Sequence, residues 1–186
     1  MVTMGKKSPD KKTLIPLARR AMLEGKPMGK AKKVVMVSGG FDPVHIGHVR
    51  LFSEAKRLGD ELVVYINNDH WIRVKKGYVF MPERERKEII EAFEAVDRVI
   101  ISDHKHNTKD MSVCQGLIKI KPHIFANGGD RDEKDANNPD SSLYKERMIH
   151  KKLNIKMVYN VGRGGKVKSS SLLVKEAVKK HKKKKK

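Results

Sequence analysis

Two histidines three positions apart, His45 and His48, follow a glycine pair, Gly39 and Gly40, with Phe41 and Asp42 between them. The stretch comes directly after the apolar run Val34–Val37. A strand that ends in glycines and passes into a helix lets the backbone come close to a ligand without Cβ clash. The start of the following helix offers unpaired N–H groups and the positive end of a dipole, which suits phosphate. Two imidazoles at that point can donate hydrogen bonds to phosphate oxygens and stabilise spreading negative charge. A second anion-ready point is Ser169-Ser170-Ser171, where the last helix begins. Gly162–Lys166 does not make a P-loop, because Asn160 and Val167 stand where that motif needs Gly and Ser/Thr. The glycine spacing fits no dinucleotide fingerprint either.

Alternating strands and helices must position these residues. Val34–Val37 reads as a strand buried on both faces. Residues 46–58 carry apolar residues at helical spacing and end at Gly59 as a stop. Glu61–Ile66 is a second strand, followed by a loop from His70 to Met81 in which Trp71 packs onto the sheet. Pro82 opens a helix to about Ala95, with Glu83 and Glu85 in its first turn. Arg98–Ile101 is a third strand and Asp110–Ile120 a helix. Pro122–Ala126, a polar loop, a helix over 141–152 and the strand Ile155–Tyr159 complete the series before the last helix. The pattern predicts an α/β fold, a Rossmann-like doubly wound parallel sheet of five strands, with ligands at the carboxyl ends of the strands. Met148 and Met157 fall at core spacing, and His104 and His106 read as an exposed polar cluster with Asp103.

Composition sets the outer bounds. The 186 residues suffice for one domain. Residues 33–175 form that domain, between a basic extension over 1–32, with a short helix over 14–24, and a lysine-rich tail over 176–186. Most of the formal net charge of +20 lies in the two ends. Such ends are normally solvated and disordered, and they predict at most weak, nonspecific polyanion binding. Cys114 is the single cysteine, so no internal disulfide or Cys-type structural zinc site is available, and a reducing cytoplasm is expected. No segment approaches the ~20 apolar residues of a membrane span, and no apolar secretion signal is present.

The motifs then converge on one family. Gly39 to His48, with its literal His-Ile-Gly-His, resembles the signature of the cytidylyltransferase-like nucleotidyltransferases, an element shared with class I aminoacyl-tRNA synthetases. Leu58–Val64 with Asn67-Asn68-Asp69, Arg84–Ile90 with Ala95–Val99, Asn127-Gly128-Gly129-Asp130, and Gly165–Ser171 are similar, in order, to stretches of glycerol-3-phosphate cytidylyltransferase and the heptose-phosphate adenylyltransferase domain. Val167-Lys168 departs from the family's Gly-Ile, and Asn127 stands where the heptose enzymes carry Lys.

The resemblance implies transfer of CMP or AMP from CTP or ATP to a phosphorylated small alcohol or sugar, with Mg2+ accompanying the triphosphate and pyrophosphate released. It implies catalytic roles for His45, His48, Arg86 and Lys166, with Arg86 helping to hold phosphate. Gly39, Gly40, Phe41, Asp42, Gly128, Gly129, Asp130, Ser169 and Ser170 would bind the nucleotide. Asp69, Lys75 and Lys76 would face the acceptor, and no protein-held metal is expected. A homodimer is implied by the same likeness. Pantetheine-phosphate or nicotinamide-mononucleotide adenylyl transfer, and a non-catalytic nucleotide- or RNA-binding role, are the alternative expectations.

Overall fold

The run Val34–Val37 becomes the middle of a sheet. In the computed structural model, which describes residues 31–129, 131–162 and 169–184, strand β1 (Val34–Gly39) has β2 (Glu61–Ile66) on one side and β4 (Ile124–Gly128) on the other. Strands β3 (Arg98–Ile101) and β5 (Lys156–Val161) complete the order β3-β2-β1-β4-β5, and every pairing is parallel. The order reverses beside β1, so a crevice opens at the carboxyl ends of β1 and β4, where sheets of this kind bind ligands.

Period-two alternation sends successive side chains of β1 to opposite faces. Val35 and Val37 pack with Phe52 and Ala55 of helix α1 (Ile46–Lys56) and Ile90 of the helix Glu83–Glu91. Met36 packs on the other face with Leu117 of the helix Cys114–Ile120 and Leu143 of the helix Ser142–Leu153. The expected five-stranded, all-parallel Rossmann-like fold is therefore the observed one. None of the described helices is long and apolar enough to cross a membrane.

Several local expectations change. Residues 70–81 are not all loop, because Asp69–Lys76 forms helix α2. The Asn68 side chain caps it by accepting the Trp71 N–H, and Gly77 at φ 81 ends it. Glu83–Glu91 is then α3. Helix α4 starts at Cys114 and not at Asp110. Upstream, Thr108, Asp110 and Ser112 spend their side chains on nearby backbone and on one another, which competes with helix formation. The polar loop after β4 contains a five-residue helix, α5 (Glu133–Asn137), capped by Asp132. In α6 (Ser142–Leu153), Met148 is 54% exposed and not a core residue, whereas Met157 packs against the core as expected.

Helix α7 runs unbroken over Ser170–Lys184, so the stretch expected to be disordered is helical through Lys184. The helix expected over 14–24 lies outside the described residues.

Gly59 has a role beyond stopping α1, whose C-cap is already Arg57. A Cβ there would lie 2.4 Å from the Lys33 carbonyl oxygen. That oxygen is pinned by N–H donations from Asp60 and Glu61, so it cannot retreat cheaply. Gly59→Ala is expected to cost about 1–3 kcal/mol of stability through overpacking, measured by denaturant unfolding. An unchanged midpoint would contradict this packing account.

Candidate functional site

His45 is the N-cap of α1, and the two histidines close the cap reciprocally. The Gly47 N–H donates to His45 Nδ1 at 3.1 Å, and the His45 N–H donates to His48 Nδ1 at 3.2 Å. Both Nδ1 atoms are therefore acceptors, which puts the proton of each neutral ring on Nε2. The rings stack at 3.7 Å between centroids. Burial pushes the His48 imidazole down to about 3, with repulsion from His45 and Lys76 adding to the shift. His48 is thus a neutral N–H donor across the physiological range.

The glycines ahead of the histidines make room for the protein's own side chains. A Cβ on Gly39 would meet the Phe41 ring at 2.9 Å, and one on Gly40 would meet Ile72 at 2.7 Å. Phe41, at φ 49, sets its ring edge-on to His48 and to Phe52. The glycine pair therefore shapes the loop from within, in addition to the close ligand approach that the sequence suggests.

Behind this loop lies Arg86 of α3, fully buried. Its Nη1 donates to the carbonyl oxygens of Gly40 and Asn67, both at 2.7 Å. Its Nε donates to Met81 O at 2.9 Å, and its Nη2 to Asp69 Oδ1 at 2.7 Å. One guanidinium thus joins the ends of β1 and β2, the start of α2 and the segment before α3. Arg86 and Asp69 are engaged with each other and do not line the cleft.

Asp42 is likewise fully buried and accepts the N–H groups of Phe80 and Met81. Lys76 Nζ donates to Asp42 O at 2.6 Å and lies 3.8 Å from Asp42 Oδ2. Burial lowers the Lys76 pKa, with the Asp42 carboxylate pulling the other way.

A cleft of about 460 Å³ opens over these strand ends. It brings together Gly39, Gly40, Phe41, His45, His48, Lys75, Lys76, Gly128, Gly129, Ser169 and Ser170, all expected from the sequence. Lys166 and Asp130 lie outside the described residues. Gly129, at φ 76, holds a left-handed conformation that suits glycine. Ser170 Oγ donates to Pro43 O at 2.9 Å and so fastens the start of α7 to the loop before α1. Two helix N-termini, those of α1 and α7, therefore border one cleft, each with unpaired N–H groups and a positive dipole end.

Sequence reasoning missed a second set of lining residues, including Asn67, Met111, Val113, Arg131, Ser142 and Glu146. Glu146 is 6% exposed on the buried side of α6, and its Oε1 accepts the Val113 N–H at 3.0 Å. Burial pushes its carboxyl up to about 7. The signal was readable: a carboxylate three positions after Leu143 lies on the apolar stripe of its helix. Trp71 packs as expected, although from a helix, and its Nε1 donates to Met111 O at 3.0 Å. His104 knits loops together through Ser102 and the Ser112 carbonyl. Among the described residues no group of three or more His, Cys, Asp or Glu is arranged to hold a metal ion.

Comparison with known proteins agrees with this geometry. Residues 36–178 match the family model described as cytidylyltransferase-like. An FAD synthase of Thermococcus sibiricus is 34% identical over 134 residues, covering 70% of this chain and 82% of that protein. An FAD synthase of Ferroglobus placidus is 38% identical over 99 residues, covering 53% of this chain and 60% of that protein. The crystal structure of a lipopolysaccharide core biosynthesis protein from Thermoplasma volcanium superposes with a TM-score of 0.55 at 31% identity. It covers 70% of this chain and 98% of that one.

The His48 geometry makes a pH statement. Its folded pKa lies below the unfolded value near ~6.5, so the unfolded chain takes up the proton first. This group's contribution to stability is complete above that value and is lost as pH falls toward 3. In nitrogen-15 spectra, the His48 ring is expected to keep a neutral Nε2–H pattern down to pH 5. A titration midpoint at the ordinary imidazole value would contradict it.

Proposed function

This chain belongs to the cytidylyltransferase-like family of nucleotidyltransferases, and from that premise we propose that it transfers a nucleoside monophosphate from a triphosphate to a phosphate monoester, releasing pyrophosphate. The observation that carries the reading is the meeting of two helix N-termini and two imidazole donors at one cleft. In nucleotidyl transfer a protein mainly positions the reactants and stabilises charge spreading over phosphate oxygens. Neutral Nε2–H donors do so without competing for the attacking dianion. We place the activity in residues 33–175, with 1–32 and 176–186 as extensions.

In this reading the acceptor phosphate attacks the α-phosphorus in line. His45 and His48 donate to the triphosphate, whose leaving oxygens meet the N-termini of α1 and α7 beside Ser169 and Ser170. Gly39, Gly40 and Phe41 form the floor, and Gly128, Gly129 and Asp130 face the nucleoside. Lys75 and Lys76 attract the acceptor phosphate, and Lys166 adds charge near the triphosphate.

Arg86, Asp69 and Asp42 contribute by holding the loops in register, since their hydrogen bonds run to protein groups. Magnesium enters as part of the substrate, on the triphosphate's own oxygens, where it neutralises charge. The FAD synthase relatives support ATP as the donor, because FAD contains an adenylate.

His48→Ala is expected to lower the rate of acceptor-dependent pyrophosphate release by about 100- to 1,000-fold, the scale of losing one aligned transition-state donor. The assay uses ATP and CTP with a panel of phosphate monoesters. Undiminished turnover would remove His48 from the reaction.

A further inference from the structure

Two buried acceptors on the cleft have no donor among the described residues. Asn67 is 3% exposed, and its Oδ1 is enclosed without a hydrogen-bond partner. Glu146 gives Oε1 to the Val113 N–H, and no described group donates to its Oε2. An unpaired buried acceptor costs about 1–3 kcal/mol, so this pair calls for donors carried by whatever the cleft binds. Triphosphate oxygens are acceptors and cannot serve. Alkyl groups offer no donor. Hydroxyl groups do.

The two acceptors are fixed relative to each other through a chain of hydrogen bonds. Asn68 Oδ1, next to Asn67, accepts the Trp71 N–H at 3.0 Å, and Trp71 Nε1 donates to Met111 O at 3.0 Å. Two residues on, the Val113 N–H reaches Glu146. Trp71, Met111 and Val113 supply apolar surface on the same cleft, which suits the C–H faces of a carbon chain bearing hydroxyls. Lys75 and Lys76 line that cleft from α2.

The geometry points to a subsite for a polyhydroxylated phosphate monoester, with Asn67 Oδ1 and Glu146 Oε2 accepting hydrogen bonds from its hydroxyls and Lys75 and Lys76 meeting its phosphate. The inference rests on the transfer reading above and names the class of its acceptor. Open-chain sugar-alcohol phosphates and the ribityl phosphate of FMN share this chemistry. The high pKa of Glu146, near 7, is in keeping with a carboxyl that lacks donors until the hydroxyls arrive.

The test uses the full chain. Pyrophosphate release from ATP and from CTP is measured with glycerol 3-phosphate, sorbitol 6-phosphate, FMN and hydroxyl-free propyl phosphate. Binding of each phosphate is measured by calorimetry. Glu146→Gln keeps an oxygen for Val113 and turns the other position into a donor. Asn67→Leu removes the second acceptor at similar volume. Thermal unfolding checks both folds, and either variant alone can carry the test.

The wild type is expected to favour at least one polyhydroxylated phosphate over propyl phosphate by about tenfold or more in kcat/KM. Each variant is expected to erase most of that preference through KM, with kcat within about twofold, the cost of one lost hydrogen bond to a buried group. Preference for a sugar-alcohol phosphate or for FMN then identifies the source.

Equal use of propyl phosphate, or a preference untouched in a folded variant, would overturn the subsite and leave nucleotidyl transfer standing. Calorimetric binding of a polyhydroxylated phosphate that the variants weaken, without pyrophosphate release from either triphosphate, would uphold the subsite and overturn the transfer. Absence of both binding and release would overturn both.

Discussion

The buried guanidinium of Arg86 is the constraint on which the cleft depends. Four hydrogen bonds join it to Gly40, Asn67, Asp69 and Met81. Three of these partners are backbone carbonyls at turns that the sheet and helix ladders leave unpaired. A planar fork with five donors can serve several such points from one position, and a lysine cannot. Removing a buried charge's partner is costly, so the Asp69 carboxylate and the carbonyl cluster fix each other. The loop that carries His45 and His48 and the loop that carries Lys75 and Lys76 therefore move as one unit with α3.

Upon that frame the electrostatics divide in two. The wall nearest α1 and α7 uses helix termini and uncharged imidazoles, which attract anions by dipole and hydrogen bond. The wall nearest α2 uses lysines, which act as point charges. His48 stays neutral because it is packed beneath Phe41 and beside His45 and Lys76. A charged imidazole in that position would bind a triphosphate more tightly in its ground state. A neutral donor leaves more of the stabilisation for the moment when charge shifts between oxygens.

The parts of this architecture with local causes were legible in the sequence. Strands β2 and β3 begin and end at the residues expected, because their apolar runs are bounded by polar turns. The histidine cap and the serines at the last helix were legible because capping is a short-range event. Helix α2 was not, since only Ile72 is buried along it and its start depends on one Asn68 side-chain bond.

Arg86 was expected at phosphate. Its true partners Gly40 and Asn67 lie 46 and 19 residues away in the chain, and no local pattern reports a contact with a carbonyl. Glu146 left a trace in its helical register but not in any motif. Met148 misled because a methionine at core spacing lay one residue from Ile149, which takes the packing position instead.

The central claim is that the cleft moves the α-phosphorus of a nucleotide onto a phosphate oxygen. Parallel incubations with α-labelled and γ-labelled ATP, in the presence of an accepted phosphate monoester, test it most directly. The account predicts that the α-label enters the acceptor product and the γ-label leaves as pyrophosphate, with neither on the protein. Label from the γ-position in the acceptor, or α-label retained on the polypeptide, would contradict it.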